Sequence, residues 1–225
     1  MFVGLLSDTH GVFSKEFADF LAPVDVIWHA GDWGGSLGFV QQIRDLGKPI
    51  VGVYGNCDGL DIRQEFPEYQ FFREEGLGIL LTHIGGSPGH YYPRAQQLIR
   101  ACKPDLFVCG HSHILKVQWD GGGVPPEGRA TRGTEAGGPS PDGGVSPTGE
   151  LPKGVLPPPS GFLYMNPGAA GLQGWQVVRT ALRFKLGPAP EASAAPVSAS
   201  PAGSSTPSPV VDRISELEVF NLPRS

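Results

Sequence analysis

Five short apolar runs in the first 110 residues, each stopping at a burst of small and polar residues, constrain this chain more than any other feature. They are Phe2 to Leu6, Val24 to Trp28, Ile50 to Tyr54, Gly78 to Leu81 and Leu106 to Cys109. Their length and their Val, Ile and Phe content predict strands buried on both faces rather than helices. The intervening stretches read as helices: Ser14 to Leu21, with Ser14 as N-cap and Phe13, Phe17, Phe20 and Leu21 on one face; Ser36 to Leu46; and Pro93 to Cys102. Pro93 fits a first helical position and Gly47 a helix stop. Strand and helix in alternation imply a layered α/β domain. After Cys109 the pattern turns to strands alone, at Ile114 to Trp119, Phe162 to Asn166, Trp175 to Lys185 and Ile214 to Phe220.

Composition matters mainly for what interrupts this pattern. The 225 residues include 33 Gly and 23 Pro, and residues 121–160 hold 20 of these and no aromatic residue. A segment of that makeup cannot bury a core and is expected to be a mobile loop. It falls between two strands expected to be neighbours, as an overgrown hairpin connection, and each doubling of a loop costs only about 0.6 kcal/mol. The expected organisation is a domain over residues 1–186 with a Gly/Pro-rich insertion at 121–160, an Ala/Ser/Pro-rich linker at 187–210, and a final strand and tail at 211–225.

Several function classes are disfavoured by the same sequence. No apolar run approaches the roughly 20 residues of a membrane helix and the N-terminus lacks a signal-peptide pattern, so a cytoplasmic protein without membrane partners is expected. Cys57, Cys102 and Cys109 show no C-x-x-C spacing, which argues against a disulfide framework or a thiolate zinc knuckle. The formal charge is −5, and residues 1–120 carry 9 Lys and Arg against 14 Asp and Glu. A domain that acidic, with no basic run, argues against non-specific nucleic-acid binding.

Polar residues with metal-ligating atoms recur at the ends of the five apolar runs. They are Ser7-Asp8-Thr9-His10, His29-Ala30-Gly31-Asp32, Gly55-Asn56-Cys57-Asp58, Thr82-His83 and Gly110-His111-Ser112-His113. In an open α/β sheet the carboxyl ends of the strands converge on the crevice where ligands bind. Asp, His and Asn offer oxygen and imidazole donors that suit Mn²⁺, Fe²⁺ or Zn²⁺. Asp8 with His10, and His111 with His113, are two apart, and an extended backbone would set both members of each pair on one face. Seven candidates (Asp8, His10, Asp32, Asn56, His83, His111 and His113) exceed one tetrahedral ion and suit two ions sharing a carboxylate.

In this order the motifs D-x-H, G-D, G-N-C-D, a lone His after a strand, and G-H-S-H resemble those of the calcineurin-like metallophosphoesterases, and most of all the small YfcE-type phosphodiesterase branch. The likeness runs from Met1 to about Trp119 and resumes at Asn166-Pro167-Gly168. It implies the metallo-dependent phosphatase fold, a four-layer α/β/β/α sandwich of two mixed sheets flanked by helices. It also implies ligand roles: Asp8, His10 and His113 on one metal, Asn56, His83 and His111 on the other, and Asp32 bridging. Two divalent ions per chain are implied, manganese first, with iron, zinc or nickel as alternatives. The implied activity is a phosphodiesterase in which a metal-bridging hydroxide attacks phosphorus in line, with a small phosphodiester or nucleotide as substrate and a homo-oligomer as the assembly.

Further roles follow from position. Asn56 and the backbone N–H groups of Gly55 and Gly110 are candidates to bind phosphate oxygens, and Trp33 after Asp32 is either an aromatic wall for a nucleobase or core. Cys57 stands where many larger relatives have His; a substrate contact from it is a candidate catalytic role, while the missing His favours diesters over alkyl monoesters. His29 is expected to be structural or to orient a ligand. The rival functions are a protein-binding scaffold on the same fold and a hydrolase of nucleotide or dinucleoside polyphosphates.

Overall fold

The computed structural model describes residues 1–121, 161–188 and 210–224. The elements run β1 (Phe2–Leu6), α1 (Lys15–Leu21), β2 (Val26–His29), α2 (Leu37–Arg44), β3 (Ile50–Gly52), α3 (Leu60–Glu65), β4 (Tyr69–Glu74), β5 (Leu77–Thr82), β6 (Gly86–Ser87), β7 (His90–Tyr91) and α4 (Pro93–Cys102). They continue through β8 (Leu106–Val108), β9 (Leu115–Asp120), β10 (Phe162–Pro167), β11 (Val178–Leu186) and β12 (Ile214–Pro223). The expected insertion at 121–160 and linker at 187–210 lie almost wholly outside the described residues.

Two five-stranded mixed sheets form, in the orders β12-β11-β1-β2-β3 and β4-β5-β8-β10-β9. The strands that read as unbroken apolar runs are the parallel ones: β1, β2 and β3 in one sheet, and β5, β8 and β10 in the other. Both faces of these strands are covered. Val3, Leu5, Val26 and Trp28 meet Ile79, Leu81, Leu106, Val108 and Met165 between the sheets. On the outer face of the first sheet, Leu6 and Ile27 pack with Phe17, Leu21, Val40, Ile43 and Ile62 of α1, α2 and α3. On the outer face of the second, Leu80 and Phe107 pack with Ala95, Leu98 and Ile99 of α4. This is the four-layer α/β/β/α sandwich, its two sheets back to back and a helix layer on each outside face.

The fit between α1 and β1 turns on one missing side chain. A Cβ at Gly4 would lie 2.4 Å from Leu21 Cδ2, so α1 can settle on the strand only because position 4 is glycine.

Some elements differ from expectation for identifiable reasons. The helix over α3 and the strand over β4 were not legible: Leu60–Glu65 is too short to show a helical stripe, and β4 is an edge strand whose residues alternate between exposed and half-buried. The strand expected from Trp175 begins at Val178, and Trp175 stands fully exposed in the loop before it. Ser14 precedes α1 without a side-chain cap bond, whereas Ser36 accepts from the Gly38 N–H and caps α2.

Candidate metal centre

The segments after β1, β2, β3, β5 and β8 meet at one end of the sandwich. They are stitched together by main-chain bonds: the N–H groups of Asp8, His10 and Gly11 donate to the carbonyls of Gly31 (2.9 Å), Asp32 (3.1 Å) and Trp33 (2.7 Å), and Gly110 N–H donates to His83 (3.0 Å). Among the described residues, eight non-glycines have positive φ, and five of them are Asp8 (53°), His10 (47°), Asp32 (53°), His111 (67°) and His113 (58°). The extended geometry expected for Asp8 with His10, and for His111 with His113, is therefore not what joins each pair. Left-handed turns do it, a conformation that costs of order 1 kcal/mol or more per residue and persists only where the surroundings enforce it.

The ligating atoms of three groups lie within 4.8 Å of one another: Asp8, His10 and His113; Asp8, Asp32 and His83; and His10, Asp32 and Cys57. Cys57 in the last group is a neighbour that the motif resemblance does not supply. His83 Nε2 is 3.3 Å from Asp32 Oδ2 and 3.1 Å from Asn56 Oδ1. His113 Nε2 is 3.1 Å from Asp8 Oδ1, and His10 Nε2 is 3.5 Å from His113 Nε2. His111 stands beside His83, ring centroids 5.3 Å apart and nearly perpendicular.

Proton placement makes this arrangement informative. His83 Nδ1 lies 2.7 Å from the Ala30 carbonyl and His113 Nδ1 3.1 Å from the Gln173 carbonyl, so in each ring Nδ1 carries the proton. A neutral ring then directs the lone pair of Nε2 at a carboxylate oxygen. Asp8 repeats the pattern: Oδ2 accepts from Ser7 Oγ (2.5 Å) and the His111 N–H (3.1 Å), while Oδ1, wholly buried, has no hydrogen-bond donor among the described residues. Electron pairs converging in a buried site require a cation among them, either protons on the histidines or metal. The donor set is oxygen and imidazole, with the rings of His83 and His113 held from behind by carbonyls, which suits a divalent transition ion.

The ionisation of the groups reflects the same crowding. Burial opposes charge on His83, but Asp32 and Asp8 outweigh it and raise its pKa; the Asp8 carboxylate 3.1 Å from Nε2 raises His113. Burial lowers His10 and His111. Burial also works against the Asp32 charge, yet His83 and the Cys57 N–H hold that carboxyl well below its ordinary range. Cys57 is pushed up to about 11 by burial and by Asp32.

Several expected site residues have other work. Trp33 is completely buried, stacked between His29 (3.6 Å) and Phe66 (4.4 Å) with Nε1–H donating to Val53, so it is core and forms no wall for a base. The N–H groups of Gly55 and Gly110 do not face a phosphate, because they donate to Asp58 Oδ2 (2.7 Å) and to the His83 carbonyl. These glycines are needed for lack of volume: a Cβ would fall 2.0 Å from Asp32 Oδ1 at Gly55 and 1.9 Å from Ser7 Oγ at Gly110.

Two supporting residues carry more than their sequence signal suggests. His29 is fully buried; its Nδ1 accepts from Gly31 N–H (3.2 Å), leaving Nε2–H to donate to Thr9 Oγ1 (3.0 Å), and so it ties the β1 turn to the β2 turn. Asn166 donates to the Gly110 carbonyl (2.8 Å) and Ser112 Oγ (3.0 Å) and accepts from Gly168 N–H, fixing the turn that presents His111 and His113. Its place in Asn166-Pro167-Gly168 was the available hint.

Comparison with known proteins gives the fold a context. Solved structures that resemble it include Vps29 complexed with Zn²⁺ from Entamoeba histolytica, 17% identical, covering 83% of this chain and 86% of that one with a TM-score of 0.53. Another is Vacuolar Protein Sorting 29 from Cryptosporidium parvum, 19% identical, covering 81% and 83% with a TM-score of 0.52. A third, Vps29 from Chaetomium thermophilum, is 11% identical, covering 84% and 80% with a TM-score of 0.53. At such identities the likeness is one of fold alone. A curated sequence, 1-deoxy-D-xylulose 5-phosphate reductoisomerase from Chlamydia felis, is 52% identical over 40 residues, which span 17% of this chain and 11% of that protein's length. A match over so small a share of either chain shows no family. A family model described as the calcineurin-like phosphoesterase superfamily domain matches residues 1–187, which include every residue of the metal centre. The chain therefore belongs to the calcineurin-like phosphoesterase superfamily.

Proposed function

We propose that the protein is a phosphodiesterase working with two divalent metal ions, manganese foremost. The observation that carries this reading is the convergence of the buried Asp8 Oδ1, Asp32 Oδ2 and His83 Nε2 with the less buried Asn56 Oδ1 and His113 Nε2, with Asp8 Oδ1 left without a donor among the described residues. Asp8, His10 and His113 would hold one ion, Asn56, His83 and His111 the other, and Asp32 both. When bound, such ions supply Lewis acidity and a water acidified enough to attack phosphorus in line.

The chain's own residues supply orientation. Ser7 and the His111 N–H turn Asp8, the Cys57 N–H holds Asp32 Oδ1 at 2.8 Å, and the carbonyls of Ala30 and Gln173 fix the rings of His83 and His113. Cys57 is read as acting through that main-chain N–H, which orients Asp32 independently of the thiol. With Cys57 in place of a leaving-group histidine, esters with good leaving groups and diesters are favoured. The test is turnover of bis-p-nitrophenyl phosphate against an alkyl monoester in Mn²⁺, with Asn56→Ala as control. Faster diester cleavage, lost in the variant, supports the reading, and faster monoester cleavage contradicts it.

A protein-binding scaffold is the second reading, favoured by one surface. Trp175 is wholly exposed, and Leu172 and Val177 are exposed with it, on the loop whose Gln173 holds His113. Under that reading the metal-loaded protein hydrolyses neither ester.

A further inference from the structure

The metal centre opens on one side into a cavity of about 430 Å³, lined by Tyr54, Asn56, Arg63, Glu68, His83, Ile84, Tyr92 and Arg94 among others. That is the size range of sites for small organic ligands, and larger than a phosphate alone needs. Its inner end is Asn56 and His83, so a group bonded to a phosphorus held at the metals would extend into it. The site proposed above is presupposed here.

The walls indicate what that group is. Tyr92 is about half exposed (49%) and touches His111 edge-on, with ring centroids 6.4 Å apart at 72°. Tyr54 lines the cavity with the guanidinium of Arg63 over its ring at 4.6 Å, and Ile84 and Pro93 complete an apolar surface. Tyrosine and aliphatic walls of this kind receive the face of a planar ring.

The charges limit the group further. Arg63 spends Nε and Nη2 on the carbonyls of Asp58, Gly55 and Asn56, which sets one positive charge at the metal end, beside Asn56. Farther out, Arg94 pairs with Glu68 through two bonds of 3.1 and 2.8 Å, so its charge is balanced. A single anionic phosphorus is served at the inner end. A second, trailing phosphate would meet no net charge. The Glu68–Arg94 pair offers instead a hydrogen-bonding edge to an uncharged heteroatom-bearing ring.

We infer that this cavity binds an uncharged, aromatic, nucleoside-sized arm of the substrate, with Tyr92 as the stacking wall, and that the substrate is a phosphodiester of a nucleoside rather than a polyphosphate. An aromatic wall, one of the two roles the sequence left open for Trp33, is thereby supplied from the segments after β3 and β7.

Equilibrium binding to the Mn²⁺-loaded protein tests this without turnover, using adenosine 5′-monophosphate, methyl phosphate and adenosine 5′-diphosphate as probes. Stacking of a base on an aromatic side chain is worth on the order of tenfold or more in affinity. The monophosphate is expected to bind at least about tenfold tighter than methyl phosphate, and Tyr92→Ala to erase most of that gap while leaving methyl phosphate binding unchanged. The diphosphate is expected to bind no tighter than the monophosphate. Equal binding of the monophosphate and methyl phosphate, or equal loss of both in Tyr92→Ala, overturns the inference, and a diphosphate bound about tenfold tighter assigns the cavity to polyphosphates instead. Failure of the hydrolytic reading would show separately, as probe binding without turnover of bis-p-nitrophenyl phosphate.

Discussion

At the scale of single residues the centre depends on groups that ligate nothing. Gly110→Ala would set a Cβ 1.9 Å from Ser7 Oγ and 2.8 Å from Asp8 Oδ2, turning the carboxylate away. Overpacking of this kind typically costs about 1–3 kcal/mol, so thermal unfolding should occur several degrees lower and bound metal should fall with it. Cys57→Ala, by contrast, keeps the N–H that holds Asp32, and kcat/KM should stay within about threefold of the parent, a change under 1 kcal/mol. His29 gives a pH signature. Burial lowers its pKa far below 6.5, so it folds neutral; as pH falls below 6.5 the unfolded chain takes up a proton that the folded chain refuses. Stability from this group is thus present above the unfolded pKa and lost on acidification, by up to about 1.4 kcal/mol per pH unit. Denaturant titrations of parent and His29→Gln between about pH 6 and 4.5 should show the steeper loss in the parent; parallel curves would contradict it. The seven candidate ligands were legible because each follows an apolar run. What was not legible was volume and proton placement: nothing in the string says that Gly55 and Gly110 are excluded from substrate by their own neighbours, or that Trp33 is sealed between His29 and Phe66.

At the scale of elements, the strands buried on both faces were readable because burial writes itself as an unbroken apolar run; β1 and α4 have the expected bounds, β5 is a residue longer at each end, and β8 is a residue shorter at one. The six-residue α3, and β4 with its residues alternating between exposed and half-buried, leave no such trace. β12 is the element whose importance only three dimensions reveal. It pairs antiparallel with β11, its Phe220 packs on Phe17 and Phe20, and just beyond its end Arg224 donates to the carbonyls of Gln173 and Gly174. Gln173 also receives the His113 Nδ1–H, so Arg224 steadies the loop behind a proposed ligand. Arg224→Ala should weaken metal binding by roughly threefold to tenfold, on the order of what loss of an outer partner costs, with little change in unfolding temperature. Arg224→Lys should restore part of it, and unchanged affinity in both variants would show that the loop holds itself.

At the scale of the molecule, two sheets and two helix layers leave the metal centre at one end of the sandwich, while the β9–β10 turn emerges where Asp120 faces Phe162 across the ladder. Because those residues are already partners, replacing residues 122–160 with a short turn closes the hairpin without altering register. Metal binding and ester hydrolysis are expected to persist in that deletion, measured on the purified protein, and loss of hydrolysis in a folded deletion would place the segment at the substrate site. The central claim is that buried carboxylate and imidazole lone pairs exist here to hold two catalytic ions. The direct measurement is metal content per chain after Mn²⁺ loading and removal of excess, made on the same sample assayed with bis-p-nitrophenyl phosphate. About two ions per chain with hydrolysis, both reduced in Asp32→Asn, is the predicted result; fewer than about one ion with no hydrolysis above buffer would contradict it and leave the scaffold reading in its place.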